Sequence, residues 1–169
     1  LIKSASRLEK RFLFNEEQVA GMFDKVLVGV DLLAESAEVV LQRATELVGK
    51  DGEIFAVHVV EPQYVQYTID PTFKGTLTRA MEDDAMSIAA ARLAELCAPF
   101  GIAEDHQVVM LGRAADRIHE LAAERGVDAI IVGSHARPGL KRLLGSTANA
   151  VLHNAPVNVM VIRIVGDEQ

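Results

Sequence analysis

Hydrophobic positions along the chain follow two rhythms in alternation. Lys25 to Asp31 reads Lys-Val-Leu-Val-Gly-Val-Asp, an apolar run rich in β-branched residues, as expected of a strand covered on both faces and ended by a carboxylate. Residues 35–49 switch to a helical period, with Ala37, Val40, Leu41, Ala44, Leu47 and Val48 on one stripe and Gly49 as the expected stop. Ile54 to Val60 repeats the strand signal, and Glu61-Pro62 ends it because proline lacks the amide proton a ladder needs. Residues 62–75 hold two tyrosines, Pro71 and Gly75 without a sustained period, which predicts an irregular surface loop. A long helix is expected from Thr76 to Ala98, where Leu77, Met81, Ala85 and Ile88 form a stripe that drifts to Ala89, Leu93 and Leu96, with Pro99 just beyond. The rest predicts a strand at 107–111, a helix at 113–125, a strand at 128–133, a helix at 146–154 and a strand at 157–165.

Strands that alternate with helices require a parallel sheet, since parallel neighbours need long crossovers, each right-handed. A chain of 169 residues is long enough for one such core. Half the residues are hydrophobic and 24% are charged, which fits neither a disordered chain nor a membrane protein. The net charge of -7 argues against a broad nucleic-acid surface, which depends on Lys and Arg. A single cysteine, Cys97, cannot form an internal disulfide, so a cytoplasmic location is expected. No apolar run is long enough to cross a bilayer, and no membrane partner is expected. Residues 1–21 differ from the rest: they carry Lys3, Arg7, Lys10 and Arg11, and Ile2, Ala5, Leu8 and Phe12 fall at helical spacing. They are set apart as an appended or accessory N-terminal extension, and residues 22–169 form the expected domain.

Open parallel sheets bind ligands beyond the carboxyl ends of their strands, where the strand order reverses. Among the loops there, the one after the fourth strand, Gly133 to Thr147, combines glycines, hydroxyls and the cations Arg137, Lys141 and Arg142. Gly145 allows close backbone approach, and Ser146 and Thr147 open a helix whose unpaired amides attract negatively charged oxygen. Phosphate is the natural guest. Ser or Thr at a helix start is also the usual N-cap, stabilising by about 1 kcal/mol without any ligand. The segment matches neither the P-loop, which needs a lysine directly before Ser or Thr, nor the three spaced glycines of a dinucleotide site.

The same segment resembles the signature of the universal stress protein family: Gly-x-x-Gly, nine residues, then Gly and Ser or Thr. The resemblance covers residues 22–165. It includes Val30-Asp31, His58-Val59, Gly133-Ser134-His135 leading to Leu143-Leu144-Gly145-Ser146, and Ala155-Pro156 before the last Val-rich strand. It implies an α/β fold with an open five-stranded parallel sheet in the order 3-2-1-4-5, helices on both faces, similar to adenine nucleotide α-hydrolases. It also implies an ATP or AMP site, with Mg2+ as an accompanying ion. In that site Val30, Asp31 and Val59 fall at the adenosine end, and Val132 and Gly133 under the ribose and first phosphate. His135 and Ala136 follow in the loop, and Gly145, Ser146 and Thr147 lie at the phosphates. The family's dimer contact maps onto the last strand, through Val157, Val159, Val161, Ile162 and Arg163, so a homodimer is expected.

In two respects the chain departs from the signature. Its second glycine is Ala136, and only eight residues, Arg137 to Leu144, precede Gly145. Alanine costs about 1 kcal/mol wherever a positive φ is required. Family members of the F and G types also shorten this loop, keep Leu-Leu-Gly-Ser and are expected to bind ATP. Members of the A type share the Val30-to-Ser36 start and a tyrosine-bearing loop, and lack nucleotide binding. The leading expectation is therefore a dimeric stress-response module that binds ATP or AMP and regulates protein partners. One alternative is an A-type member acting through protein contacts alone. Another is an adenine-nucleotide-dependent transferase, which would need a glycine-rich loop where Leu32, Leu33 and Ala34 stand. No general base is evident, so a dedicated enzyme is not expected; slow hydrolysis or self-phosphorylation at Ser146 or Thr147 is the most that the resemblance leaves room for.

Other chemistry carries less weight. His58, His106, His119, His135 and His153 fall on separate elements, without the close pairing of a zinc site. Ser134 and His135 are adjacent on an extended segment and should point to opposite sides, which argues against a hydrolytic triad. Glu82, Asp83 and Asp84 read as a solvated helix face, and Cys97 as a small packed residue.

Overall fold

A computed structural model describes residues 21–61, 71–135 and 145–164. The elements run β1 (Phe23–Gly29), α1 (Ala34–Leu47), β2 (Val48–Val60), α2 (Pro71–Cys97), β3 (Gln107–Leu111), α3 (Ala114–Arg125), β4 (Ala129–His135), α4 (Ser146–Leu152) and β5 (Asn158–Ile164). All five strands are parallel, in the order β3-β2-β1-β4-β5. The connections step outward from β1 to β2 and β3, then return to the other side of β1 through β4. Strand order therefore reverses between β1 and β4, whose carboxyl ends part to leave a crevice.

Side chains alternate across the central strands and build two apolar layers. Val26, Val28, Ala129 and Ile131 pack with Val40, Leu41 and Ala44 of α1 and Leu93 and Cys97 of α2. Leu27, Val57, Ile130 and Val132 pack on the opposite face with Ile118 and Leu121 of α3 and Val151 of α4. Covering on both faces explains why β1 and β4 are continuous apolar runs. Each fully buried Leu or Ile there contributes roughly 1.5–3 kcal/mol.

Several boundaries differ from the expectation. Gly49 does not close α1: Val48 caps it in an extended conformation (φ -83, ψ 141), and β2 starts there. An irregularity in the pairing between Phe23 and Lys25 absorbs Gly49 to Gly52, so that the regular register resumes at Lys25 opposite Glu53. The expected irregular loop is overturned at residues 71–75, because α2 begins at Pro71. Proline suits a first helical position, where its missing amide would have no partner, and Gly75 inside the helix costs only about 1 kcal/mol. Residues 62–70 of that loop lie outside the described residues.

The expected α2 stripe also moves. Met81 and Ile88 are exposed, Leu77 lies outside the described side chains, and among those described the buried positions are Ala89, Leu93 and Cys97, a single i, i+4, i+8 line. α4 is two residues shorter than expected, and Asn154 just after it adopts a left-handed φ of 60°. β4 is longer, continuing through Ser134 and His135, which pair with Arg163 and Ile164. That extension carries two polar side chains to the rim of the crevice.

Candidate functional site

The crevice forms a cleft of about 590 Å³, within the usual range for small-molecule sites. Val30, Asp31, Val59, Val132, Gly133, His135, Gly145, Ser146 and Thr147 all line it, so the structure brings the described members of the implied ligand set to one place. Ala136, Arg137, Lys141 and Arg142 lie outside the described residues. His58, Glu61 and Ser134 also line the cleft and were not part of that set.

At the β1 corner, Asp31 sits just past the strand end. Its Oδ1 accepts from the Leu33 amide (3.3 Å) and from the Ser36 hydroxyl, and its Oδ2 faces His135 Nε2 at 2.9 Å. The first contact is an Asx turn, which the short Asp side chain makes with an amide two residues on. Ser36, on the first turn of α1, is only 2% exposed. Val30 is fixed from both sides: its amide donates to Val57 O (2.9 Å), and its carbonyl lies 2.8 Å from His58 Nδ1.

At the β4 corner, neighbouring residues diverge by the alternation of a strand. His135 turns toward Asp31 and β1. Ser134 turns to the face that carries α4, where its Oγ accepts from the Gly145 amide (3.1 Å), joining the end of β4 to the cap of α4. The first in-helix bond runs from the Asn149 amide to Gly145 O (2.9 Å), which leaves the preceding amides of the turn without an intrahelical partner.

The two glycines differ in what requires them. A Cβ on Gly133 would lie 2.6 Å from Ile164 Cδ1 and 3.0 Å from Val40 Cγ2, so a side chain there would require Ile164 and Val40 to shift. A Cβ on Gly145 would meet only Ser134 Oγ, at 3.9 Å, among the described residues. Gly145 also has φ -56, which any residue adopts. Among the described residues neither backbone conformation nor packing accounts for it, and Gly145 lines the cleft.

Residues 22–163 match the profile of the Universal stress protein family. The chain belongs to that family. Universal stress protein A homolog 2 of Coxiella burnetii is 37% identical to it over 145 residues, covering 85% of this chain and 97% of the relative. Universal stress protein G of Escherichia coli O157:H7 is 29% identical over 145 residues, covering 84% of this chain and 100% of the relative. The solved structure of hypothetical protein MJ0577 superposes with a TM-score of 0.67 at 23% identity, covering 84% of this chain and 96% of its own. A universal stress protein solved in complex with cAMP superposes at 0.50 with 18% identity, covering 85% and 98%. These structures share the fold described above.

The remaining polar chemistry of this universal stress protein is structural. Glu61 Oε1 accepts from the Ala114 amide (3.0 Å), placing a carboxylate at the start of α3 where the helix dipole favours it. His119 and His153 bond backbone carbonyls, and His106 stacks on Phe55 with ring centroids 4.2 Å apart. Among the described residues no three His, Cys, Asp or Glu side chains form a metal-binding group. Burial pushes the Cys97 thiol up to about 11, so at neutral pH it stays protonated and a poor nucleophile. None of the described helices is long and apolar enough to cross a membrane.

Ser36 and Ser134 are cleft-lining residues that reading the sequence missed. Both are short polar residues in apolar surroundings. Ser134 lies inside the quoted signature, yet its bond to Gly145 spans a loop whose path the sequence does not dictate.

Proposed function

We propose that this universal stress protein binds an adenine nucleotide, ATP or AMP, in the β1–β4 cleft and responds as a homodimeric cytoplasmic regulator of protein partners, not as a dedicated catalyst. One observation carries the reading: Gly145 lines the cleft, and among the described residues neither its backbone conformation nor a close neighbour needs a glycine there. A ligand lying against the backbone supplies the missing reason. The cleft is large enough for a nucleotide, and first-turn amides at its edge suit phosphate oxygens. A family relative of the same fold was solved with cAMP, an adenine nucleotide. Mg2+ would accompany the phosphates, with no cluster of described side chains to hold it alone.

The experiment is calorimetric titration of the full chain with ATP and AMP, with and without Mg2+. Saturable binding at micromolar to millimolar nucleotide supports the reading, and a well-folded protein that gives no heat with either ligand overturns it.

A second reading, a regulator that uses protein contacts alone, is favoured by the Asp31 carboxylate, whose oxygens already have protein partners. Both readings use the same dimer. β5 is a sheet edge with Val159, Met160, Val161 and Ile162 half-buried, so both of its faces are apolar and, among the described residues, its outer ladder has no partner strand. Val161→Glu should convert a dimer to a monomer in light scattering; a wild type that is already monomeric at micromolar concentration removes the dimer from the proposal.

A further inference from the structure

Helix α4 spans seven residues, Ser146–Leu152, a length at which a helix does not stand by its own hydrogen bonds. Its buried side chains are Ala148 and Val151, which share one apolar cluster with Ile118, Leu121 and Ala122 of α3. The seam between the two helices reaches the cleft, because Ala114 and Ile118 of α3 and Ser146, Thr147 and Ala148 of α4 all line it. At the far end of α4 the last carbonyls have no intrahelical partner. Ala150 O accepts from the His153 amide (3.2 Å), Asn149 O from His153 Nδ1 (2.7 Å) and Val151 O from His119 Nε2 (2.7 Å). A carbonyl oxygen only accepts, so each ring nitrogen in these bonds carries a proton. The two His153 bonds are local to the helix end, and that ring is exposed. The His119 bond is half-buried and comes from α3, 32 residues away in sequence.

Resting on the nucleotide reading above, we infer that His119 is a positioning residue for the cleft: its bond to Val151 O holds α4 against α3 and so sets where Ser146, Thr147 and Ala148 stand on the cleft wall. The two ends of α4 are only roughly 10 Å apart at 1.5 Å per residue, so a shift at one end is felt at the other. Loosening the carboxyl end lets the helix sample positions in which its start no longer matches a ligand. Apparent affinity then falls by the fraction of molecules still in the competent position. The buried face of α4 is only Ala148 and Val151, so a single bond from α3 is a sizeable share of what fixes the helix. Removing the donor also leaves Val151 O without its partner in the seam, which adds to the loss.

The test pairs calorimetric titration with AMP and ATP and amide hydrogen exchange, in wild type, His119→Leu and His119→Gln. Leucine keeps bulk without a donor, and glutamine places an amide nitrogen close to where Nε2 stands. His119→Leu should weaken both nucleotides roughly 3- to 10-fold, the scale of one neutral hydrogen bond, and should speed exchange in α4 while β1 and β4 keep wild-type protection. His119→Gln should restore most of the affinity. If His119→Leu is too unstable to titrate, His119→Asn, whose amide is too short to reach Val151 O, takes its place. Nucleotide affinity within about twofold of wild type in the donor-less variant overturns the inference and leaves the nucleotide reading standing. Equal weakening in the leucine and glutamine variants also overturns it, because the donor then makes no difference. Faster exchange in β1 and β4 as well as α4 does the same, since it marks a general loss of stability. A wild type that binds neither nucleotide removes the nucleotide reading and this inference together.

Discussion

At the β1 corner of the cleft, Asp31 is enclosed by the Leu33 amide, the Ser36 hydroxyl and the His135 ring, and each of its oxygens has a partner. At the β4 corner, ten residues of chain lie between Ser134 and Gly145, and among the described residues a single bond joins them. Among the described residues, one crevice thus has a wall whose carboxylate is fully partnered and one whose polar groups make fewer contacts. A partnered carboxylate has less to gain from a ligand, whereas helix-start amides favour one that can accept from them. Any energy of recognition is therefore expected from the Gly145 side, and the shape of the cleft from the Asp31 side.

Gly145→Val breaks the contrast most severely. Valine adopts φ -56 without strain, and the added Cβ at this cleft-lining position has no described neighbour nearer than 3.9 Å, so its main effect should fall on the ligand. Nucleotide affinity should drop by at least about 100-fold, close to 3 kcal/mol. The fold should lose under about 1 kcal/mol, since valine is a poorer cap than glycine. Titration beside a urea melt separates the two effects, and unchanged affinity would leave the open space without a function.

Gly133→Ala should show the opposite profile. Its new Cβ would press on Ile164 and Val40, and overpacking of this kind costs about 1–3 kcal/mol. The urea midpoint should fall, while Gly145→Ala, with nothing within 3.8 Å of its new methyl, stays within about 0.5 kcal/mol of wild type. Equal stability losses in the two alanine variants would show that the glycines serve the same purpose.

That pair also shows where sequence reading succeeds and where it stops. Continuous β-branched runs such as Val26 to Val30 mark doubly covered strands, because burial on both faces is a property of the strand itself. The alternation of strands and helices then gives the parallel sheet, and the reversal at β1 and β4 locates the cleft. Gly133 and Gly145, by contrast, look alike as letters and differ in their described neighbours: Ile164, 31 residues away, crowds one, and nothing lies nearer than 3.9 Å to a Cβ on the other. The start of α2 was missed because Pro71 and Gly75 read as loop residues, although proline at a first helical position stabilises the start. The expected α2 stripe was right at Ala89 and Leu93 and wrong at Met81 and Ile88, which are apolar but have no described neighbour to cover them. Ser134 was legible as part of a signature, not as a buried donor, because burial depends on α4 folding back over the sheet.

The smallest predicted effect tests the satisfied wall. The His135–Asp31 pair is half-exposed, 51% and 43%, and pairs so accessible to water contribute about 0–1 kcal/mol. A contact that weak cannot keep a ligand out; it can only compete with one for Asp31 Oδ2. His135→Ala releases that oxygen for a ribose hydroxyl or an adenine amine, so nucleotide affinity should rise, by up to about fivefold, which is the most that 1 kcal/mol allows. Stability should fall by no more than the same amount. The sign is the informative part: tighter binding means that His135 guards Asp31, whereas weaker binding means that the ring turns from Asp31 to the ligand and the satisfied wall is a feature of the empty cleft alone.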